Sequence, residues 1–221
     1  MKTVYTLLLL LLTIFPFAQN VPIDFELGGN GLNWTWTTFE NDTNPGLEIV
    51  ANPDPSGINT SATVAKFTAL QSGQPWAGCE SMHGSDIGSF SFNNNNCTVS
   101  IMVWKSVISD VGIKFVDATN AAQPEIKIAN TLINQWEKIT FDFSSRIGVF
   151  PITKDQIVIF PDFDLGGRSQ DNIIYFDNVY GASSNTGFVN DNRCELIVSP
   201  NPAKDLLNIS ITNFNDNITT E

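Results

Sequence analysis

Eleven short runs rich in Val, Ile, Phe, Trp and Thr occupy residues 21–27, 33–39, 47–51, 62–68, 76–81, 98–104, 111–116, 125–128, 135–143, 156–163 and 172–180. The apolar period of a surface helix is nearly absent from the stretches between them. Runs of this length and composition read as strands, and turn-forming clusters separate them: Gly28-Gly29-Asn30-Gly31, Asn52-Pro53-Asp54-Pro55-Ser56-Gly57, Asn93 to Asn96, and Gly166-Gly167. In 135–143, Ile139, Phe141 and Phe143 alternate with Lys138, Thr140 and Asp142, which sends the first three to a core and the others to water. Ile113 and Phe115 alternate with Lys114 in the same way. One-sided alternation over so many strands predicts an all-β fold of two antiparallel sheets packed as a sandwich. The length of the 20–182 region suits a jelly roll better than a shorter immunoglobulin-like sandwich.

The two ends of the chain have a different character. Lys2 precedes an apolar run over 4–17 that closes on Ala18-Gln19-Asn20, the pattern of an export signal over 1–19. No later run approaches the roughly 20 apolar residues of a membrane helix, so the mature chain is expected to lack one. Eleven basic against 23 acidic residues give a net charge of −12, which argues against nucleic acid or an anionic membrane as partner. Export also places the three cysteines where disulfides persist. Cys79 and Cys97 flank a hairpin and either pair or stay as two small buried thiols, while Cys194 falls in a small, polar linker over 183–194.

Beyond the linker, Ser199-Pro200-Asn201-Pro202 is followed by Leu207 and Ile209 alternating with Asn208 and Ser210. The prolines fix φ and remove donors, and the alternation is that of a strand. This segment, 195–221, resembles the start of a type A sorting domain of the Bacteroidetes type IX secretion system, and against that pattern it looks truncated. The resemblance implies the type IX machinery as a partner and a secreted or outer-surface location.

The residues that carry chemistry are few. His83 is the lone histidine, and no His-Glu-x-x-His zinc motif is present. The alternate-spaced acid pairs Glu40/Asp42 and Asp162/Asp164 have the composition for glycoside hydrolysis, but the second runs into Gly166-Gly167 at a strand end, where solvation or ion binding is the simpler account. Glu26 opens the domain and Asp177 closes it; if the first and last strands neighbour, the two acids meet at one edge, either as a solvated pair or as oxygen ligands for Ca²⁺. Sugar rings present apolar C–H faces, so exposed indoles with nearby polar side chains form a natural glycan platform. Trp34 and Trp36 alternate beside a Gly/Asn-rich loop, Trp76 stands at a loop-to-strand corner, and Trp104 and Trp136 sit at strand ends, with Trp136 the most core-like. Arg168, Asn172 and Lys114 are the accompanying polar candidates.

Three segments together carry a resemblance: Gln74-Pro75-Trp76-Ala77-Gly78; the strand 99–104 with 113–115; and 136–144 followed by 157–163 and Tyr175-Phe176-Asp177-Asn178-Val179. Their order is similar to that of jelly-roll modules appended to secreted marine polysaccharide hydrolases of Bacteroidetes, including family 16 glycoside hydrolases, and to carbohydrate-binding modules more broadly. That resemblance implies a structural Ca²⁺ held by Glu26 and Asp177. The Glu-x-Asp-x-x-Glu signature of the family 16 catalytic domain is absent. The expectation is a non-catalytic protein that binds polysaccharide or oligosaccharide, with Trp76, Trp34, Trp36 and Arg168 as ligand-binding residues. The alternative is a structural or adhesive surface protein whose sandwich is a spacer or a protein-binding unit.

Overall fold

The structure, a computed structural model, describes residues 22–180, 195–199 and 208–212, and the chain divides into two compact units, Met1–Ala182 and Ser183–Glu221. The export segment 1–19, the linker 183–194 with Cys194, and the Pro200-Asn201-Pro202 turn lie outside the described residues. No described helix is long and apolar enough to cross a membrane.

The first unit is an all-β sandwich of two five-stranded antiparallel sheets. Its strands are β1 (Thr37–Phe39), β2 (Glu48–Ala51), β3 (Thr63–Ala69), β4 (Gly78–Glu80), β5 (Phe90–Ser91), β6 (Thr98–Lys105), β7 (Asp110–Val116), β8 (Ile126–Ala129), β9 (Trp136–Asp142), β10 (Thr153–Lys154), β11 (Gln156–Phe163) and β12 (Asn172–Asp177). One sheet runs β1-β4-β11-β7-β8 and the other β2-β3-β12-β6-β9, while β5 and β10 form a small separate pair. The chain crosses repeatedly from one sheet to the other, as in a jelly roll. In the second unit, β13 (Glu195–Ser199) pairs antiparallel with β14 (Asn208–Thr212).

Period-two alternation builds the core. Val99, Ile101 and Val103 of β6, Ile139 and Phe141 of β9, Val111, Ile113 and Phe115 of β7, and Ile157 and Ile159 of β11 all turn inward and are buried. Positions of opposite parity, joined by Phe163 beyond a register shift in β11, form smaller apolar clusters on the outer faces. Val116, Val158, Phe160 and Phe163 gather with Phe39 on one sheet, and Val64, Met102 and Trp136 with Trp104 and Tyr175 on the other. The Trp136 indole is buried, and its N–H donates to Asn52 Oδ1 at 3.1 Å and to the Asp54 carbonyl at 2.9 Å.

Several of the expected strands are shorter than their apolar runs; 76–81, for one, keeps only Gly78–Glu80. Residues 21–27 contribute a single bridge, Ile23 to Val179, because Phe25 takes a left-handed φ of 54° and the chain turns through Gly28–Gly31. The run 33–39 becomes strand only at Thr37, and 172–180 ends as strand at Asp177, where Asn178 and Tyr180 adopt φ of 47° and 57°. The opening and closing segments still meet: Ile23 and Val179 exchange backbone hydrogen bonds of 2.8 and 3.0 Å, and Phe25 packs edge-on to Phe176. Cys79 and Cys97 are free thiols; Cys79 fills the core, where burial pushes its pKa up.

Candidate functional site

The loop joining β3 to β4 carries Trp76, and a buried ionic cluster holds that loop in place. Asp162 on β11 is fully enclosed. Its Oδ2 accepts from Arg168 Nε at 2.8 Å and Asn172 Nδ2 at 2.9 Å, and its Oδ1 accepts from Ser109 Oγ and lies 3.6 Å from Lys105 Nζ. Burial pushes Asp162 upward, but the hydrogen bonds from Asn172 and Ser109, the Lys105 charge and Arg168 outweigh it and hold the carboxyl below its ordinary value. Burial likewise pushes Lys105 down to about 8 against the opposing pull of Asp162.

Arg168 links this cluster to the loop. Its guanidinium donates to the Gln74 carbonyl at 2.9 Å, to Leu70 at 3.4 Å and to Pro75 at 3.5 Å, while also holding the Asp162 carbonyl at 2.6 Å. Expected from sequence as a ligand-binding residue, it is 7 % exposed and its hydrogen bonds position the 70–76 backbone. The run of charged and polar residues gave no sign of which were buried; the Asp162-to-Arg168 spacing across Gly166-Gly167 was the available clue. Asp162 and Asp164 do not act as a pair, because Asp162 is enclosed while Asp164 remains partly open.

On this pinned loop the Trp76 side chain stays 41 % exposed. Two residues earlier, Gln74 lines a strongly polar cleft of about 390 Å³ together with Glu40, Asp42, Asn44 and Ser72. The 40–44 turn is built on three alternate left-handed residues, Glu40, Asp42 and Asn44. Asn41 locks it to the neighbouring loop by donating to Thr68 O at 2.7 Å and accepting from Leu70 N at 2.9 Å. Gly73 is required at this close approach, since a Cβ there would lie 2.7 Å from Asn41 Oδ1. An apolar plate and a cluster of hydroxyl, amide and carboxylate groups therefore occur on two loops fastened to each other.

Trp34 and Trp36 are elsewhere. They stack on one another with centroids 5.9 Å apart, Trp36 packs 5.8 Å from Phe25, and its N–H donates to Gly31 O at 3.0 Å. Both are half-buried against the main core. In the β1–β4 pairing Thr37 faces Glu80 and Phe39 faces Gly78, so Trp36 and Trp76 lead into opposite ends of the paired strands. The structure does not bring the three indoles together.

The acids assigned to calcium also separate in role. Glu26 Oε1 accepts from the backbone amides of Ala62 and Thr63 at 2.5 and 2.9 Å, clasping the first segment to the start of β3. Asp177 is fully enclosed. Burial pushes its pKa up to about 6, against hydrogen bonds from Ser61 and the Asn178 amide, and the Asp24 charge adds to the rise. Among the described residues no group of three or more His, Cys, Asp or Glu converges as a metal cluster. Asp177 uses both oxygens on Asn178, accepting from its backbone amide at 2.7 Å and from its side-chain amide at 3.1 Å. Glu26 has one oxygen already committed to two amides.

No protein-family model and no curated protein matches the chain. Among solved structures it is similar to a variant of a family 29 carbohydrate-binding module, with 11 % identity over 72 % of this chain and 88 % of that one at a TM-score of 0.44. It is also similar to the CBM22-1 xylan-binding domain of Paenibacillus barcinonensis Xyn10C, with 14 % identity over 72 % and 90 % at 0.41. A third is the module TmCBM61 in complex with β-1,4-galactotriose, with 10 % identity over 72 % and 92 % at 0.40. Likeness at this level carries nothing about a ligand for this chain.

Proposed function

We propose that this protein binds polysaccharide without cleaving it, through the Trp76 corner and the cleft beside it. The observation that carries the reading is the exposed indole on a loop whose carbonyls are fastened by Arg168 and whose Gln74 lines the cleft shared with Glu40, Asp42, Asn44 and Ser72. Burying a Trp ring is strongly favourable, so a fixed loop that leaves one open presents a stacking plate at little further entropic cost. The polar groups beside it supply directional bonds to sugar hydroxyls. A site with one plate gives weak binding, roughly micromolar to millimolar.

The test is affinity electrophoresis of the full chain through gels containing plant, algal and microbial polysaccharides. Wild type is expected to be retarded by at least one of them and Trp76→Ala by none, with the thermal midpoint unchanged. Equal mobility of wild type with and without every polysaccharide ends the proposal. Release of reducing ends by the wild type would show instead that the acids of this cleft do bond-breaking work.

Two further assignments belong to this reading. A Ca²⁺ ion held by Asp177 and by the Glu26 oxygen not bonded to Ala62 and Thr63 would neutralise the enclosed carboxylate and tie the first segment to the last. Glu26 stays the clasp that orders its border. A midpoint that falls on chelation and recovers with Ca²⁺ supports this, and an unchanged midpoint refutes it. Export to the cell surface is proposed from the 1–19 signal pattern and from the resemblance of 195–221 to a type IX sorting segment. Deleting 195–221 is expected to keep the protein inside the producing cell, and undiminished secretion would count against that role.

A further inference from the structure

A second cleft, of about 360 Å³, lies between the turn after β7 and the segment around β10, and its wall includes Asp117, Thr119, Phe150, Ile152 and Lys154. Unlike the polar cleft near Trp76, it is predominantly apolar. Phe150 is 68 % exposed and Ile152 56 %.

The segment that carries them is held through its backbone carbonyls. The Phe150 carbonyl accepts from Gln123 Nε2, the Pro151 carbonyl accepts from Lys154 Nζ, and the Ile152 carbonyl accepts from the same ammonium at 3.2 Å. Three successive carbonyls are thus turned onto donors of the protein body, and the Phe150 and Ile152 side chains are left projecting outward. Lys154 is itself buried, with its ammonium 5.1 Å from the Phe92 ring centroid, so its charge is spent internally.

The facing turn supplies the polar half. Asp117 Oδ1 accepts from Thr119 N at 2.8 Å, Thr119 Oγ1 at 2.7 Å and Ala121 N at 2.9 Å. All three bonds fall on one oxygen, so the other is available as an acceptor. Asp155, also in the wall, is held by His83 Nδ1 at 2.7 Å. An aromatic plate beside a carboxylate acceptor suits a ligand with a C–H face and a hydroxyl edge. With the Lys154 ammonium committed and Asp155 paired, Asp117 is the acid that faces a ligand and disfavours an anion.

We infer that this cleft is a second saccharide site, which takes the end of a neutral glycan with one ring stacked on Phe150 and its hydroxyls donating to Asp117. The volume is near the lower limit for ligand pockets, roughly 300 Å³, which favours a terminal unit over a long chain. The choice of sugar as ligand rests on the glycan-binding reading above, while the geometry of the cleft is independent of Trp76. In the β11–β7 pairing Gln156 faces Val116 at one end and Phe163 faces Asp110 at the other. The second cleft adjoins the first end, and Asp164, just past the other, bonds the Pro75 carbonyl. At about 3.3 Å per residue the two sites lie roughly 25 Å apart.

The test is amide NMR of the full chain titrated separately with methyl β-glucopyranoside, methyl β-galactopyranoside and methyl β-xylopyranoside, up to roughly tens of millimolar, the weak limit expected for one ring. For at least one glycoside, saturable shifts are expected at 117–121 and 149–155. Phe150→Ala should weaken them about tenfold, since its removal costs a stacking contact worth about 1.4 kcal/mol. Trp76→Ala should leave them intact. No saturable shift in this cleft with any of the three, or shifts unchanged in Phe150→Ala, overturns the inference. Gel retardation lost in Trp76→Ala without cleft shifts would leave the first site standing and remove this one; cleft shifts without gel retardation would do the reverse.

Discussion

At the residue level, Asp177 is the group whose ionisation most directly reports on the closing corner of the fold. Its ordinary value is 3.8, and burial raises it to about 6 in the folded chain. A carboxyl raised on folding binds more protons in the native state than in the unfolded one between those values. The stability it contributes is therefore full below about pH 4 and is lost as pH rises through about 6, a swing of about 3 kcal/mol. A bound cation reverses the preference, because it favours the ionised carboxylate. In chelator the midpoint should fall from pH 4 to pH 7, and Asp177→Asn should flatten part of that fall. Glu80 and His83, whose pKa values are also raised, titrate equally in wild type and variant, so the difference between the two isolates Asp177. With Ca²⁺ added at pH 7 the wild type should recover its midpoint and the variant should not. An identical pH slope in both proteins would show that the enclosed carboxyl is not the source.

At the level of the strands, β4 is the element least tolerant of change. It is three residues long, sits between β1 and β11, and opens on Gly78. A Cβ at Gly78 would lie 2.5 Å from the Ile159 carbonyl and 2.8 Å from Phe39 Cζ, and a backbone oxygen cannot swing aside. At Gly112 on β7 the same atom would meet Phe160 side-chain atoms at 3.1 and 3.3 Å, which a ring can relieve. Gly78→Ala should therefore cost about 3 kcal/mol and Gly112→Ala about 1, read by denaturant midpoints. Equal losses would mean that β4 shifts as freely as a ring. These strands also show what alternation can and cannot reveal. Ile113, Ile139 and Phe141 were legible as core because one face of each strand is apolar and the other is not. Phe160 is buried on the opposite face, where Lys114 lies 5.6 Å from its ring centroid, and Trp136, expected from sequence to be core-like, is buried on an outer face where the 52–54 turn satisfies its indole. Burial by a neighbouring loop or by the stem of a lysine has no sequence period. The same limit hid the roles of Arg168 and Phe150: the first was a candidate sugar contact and is enclosed, the second lies in an inter-strand segment and is exposed on a stretch held through its carbonyls.

Over the whole molecule, burial leaves the acidic excess of the sequence on the accessible surface, because Asp155, Asp162 and Asp177 are enclosed as well as three of the cations. Of 11 Lys and Arg, Lys105, Lys154 and Arg168 are buried and bonded to backbone or to Asp162. Lys66 is paired with Glu48 and Lys127 with Glu125. Open acids remain near both proposed sites, Glu40 and Asp42 in one cleft and Asp117 in the other, where Asp155 is buried against His83. A uronate or sulfate polymer approaching either cleft meets like charge, while a neutral glucan, xylan or galactan does not. The protein should therefore favour neutral polysaccharides, and the margin should depend on ionic strength. At ~0.01 M salt the screening length is ~30 Å, comparable to the spacing of the two sites, so both acidic clusters repel the same polymer; at ~0.15 M it shrinks to ~8 Å and each acts alone. Gel retardation by neutral polymers should change little between these conditions. Any weak retention by alginate or a sulfated galactan should appear only at the higher salt. Stronger retention by the anionic polymers at ~0.01 M salt would show that a cationic surface governs binding, and would move the site away from both clefts.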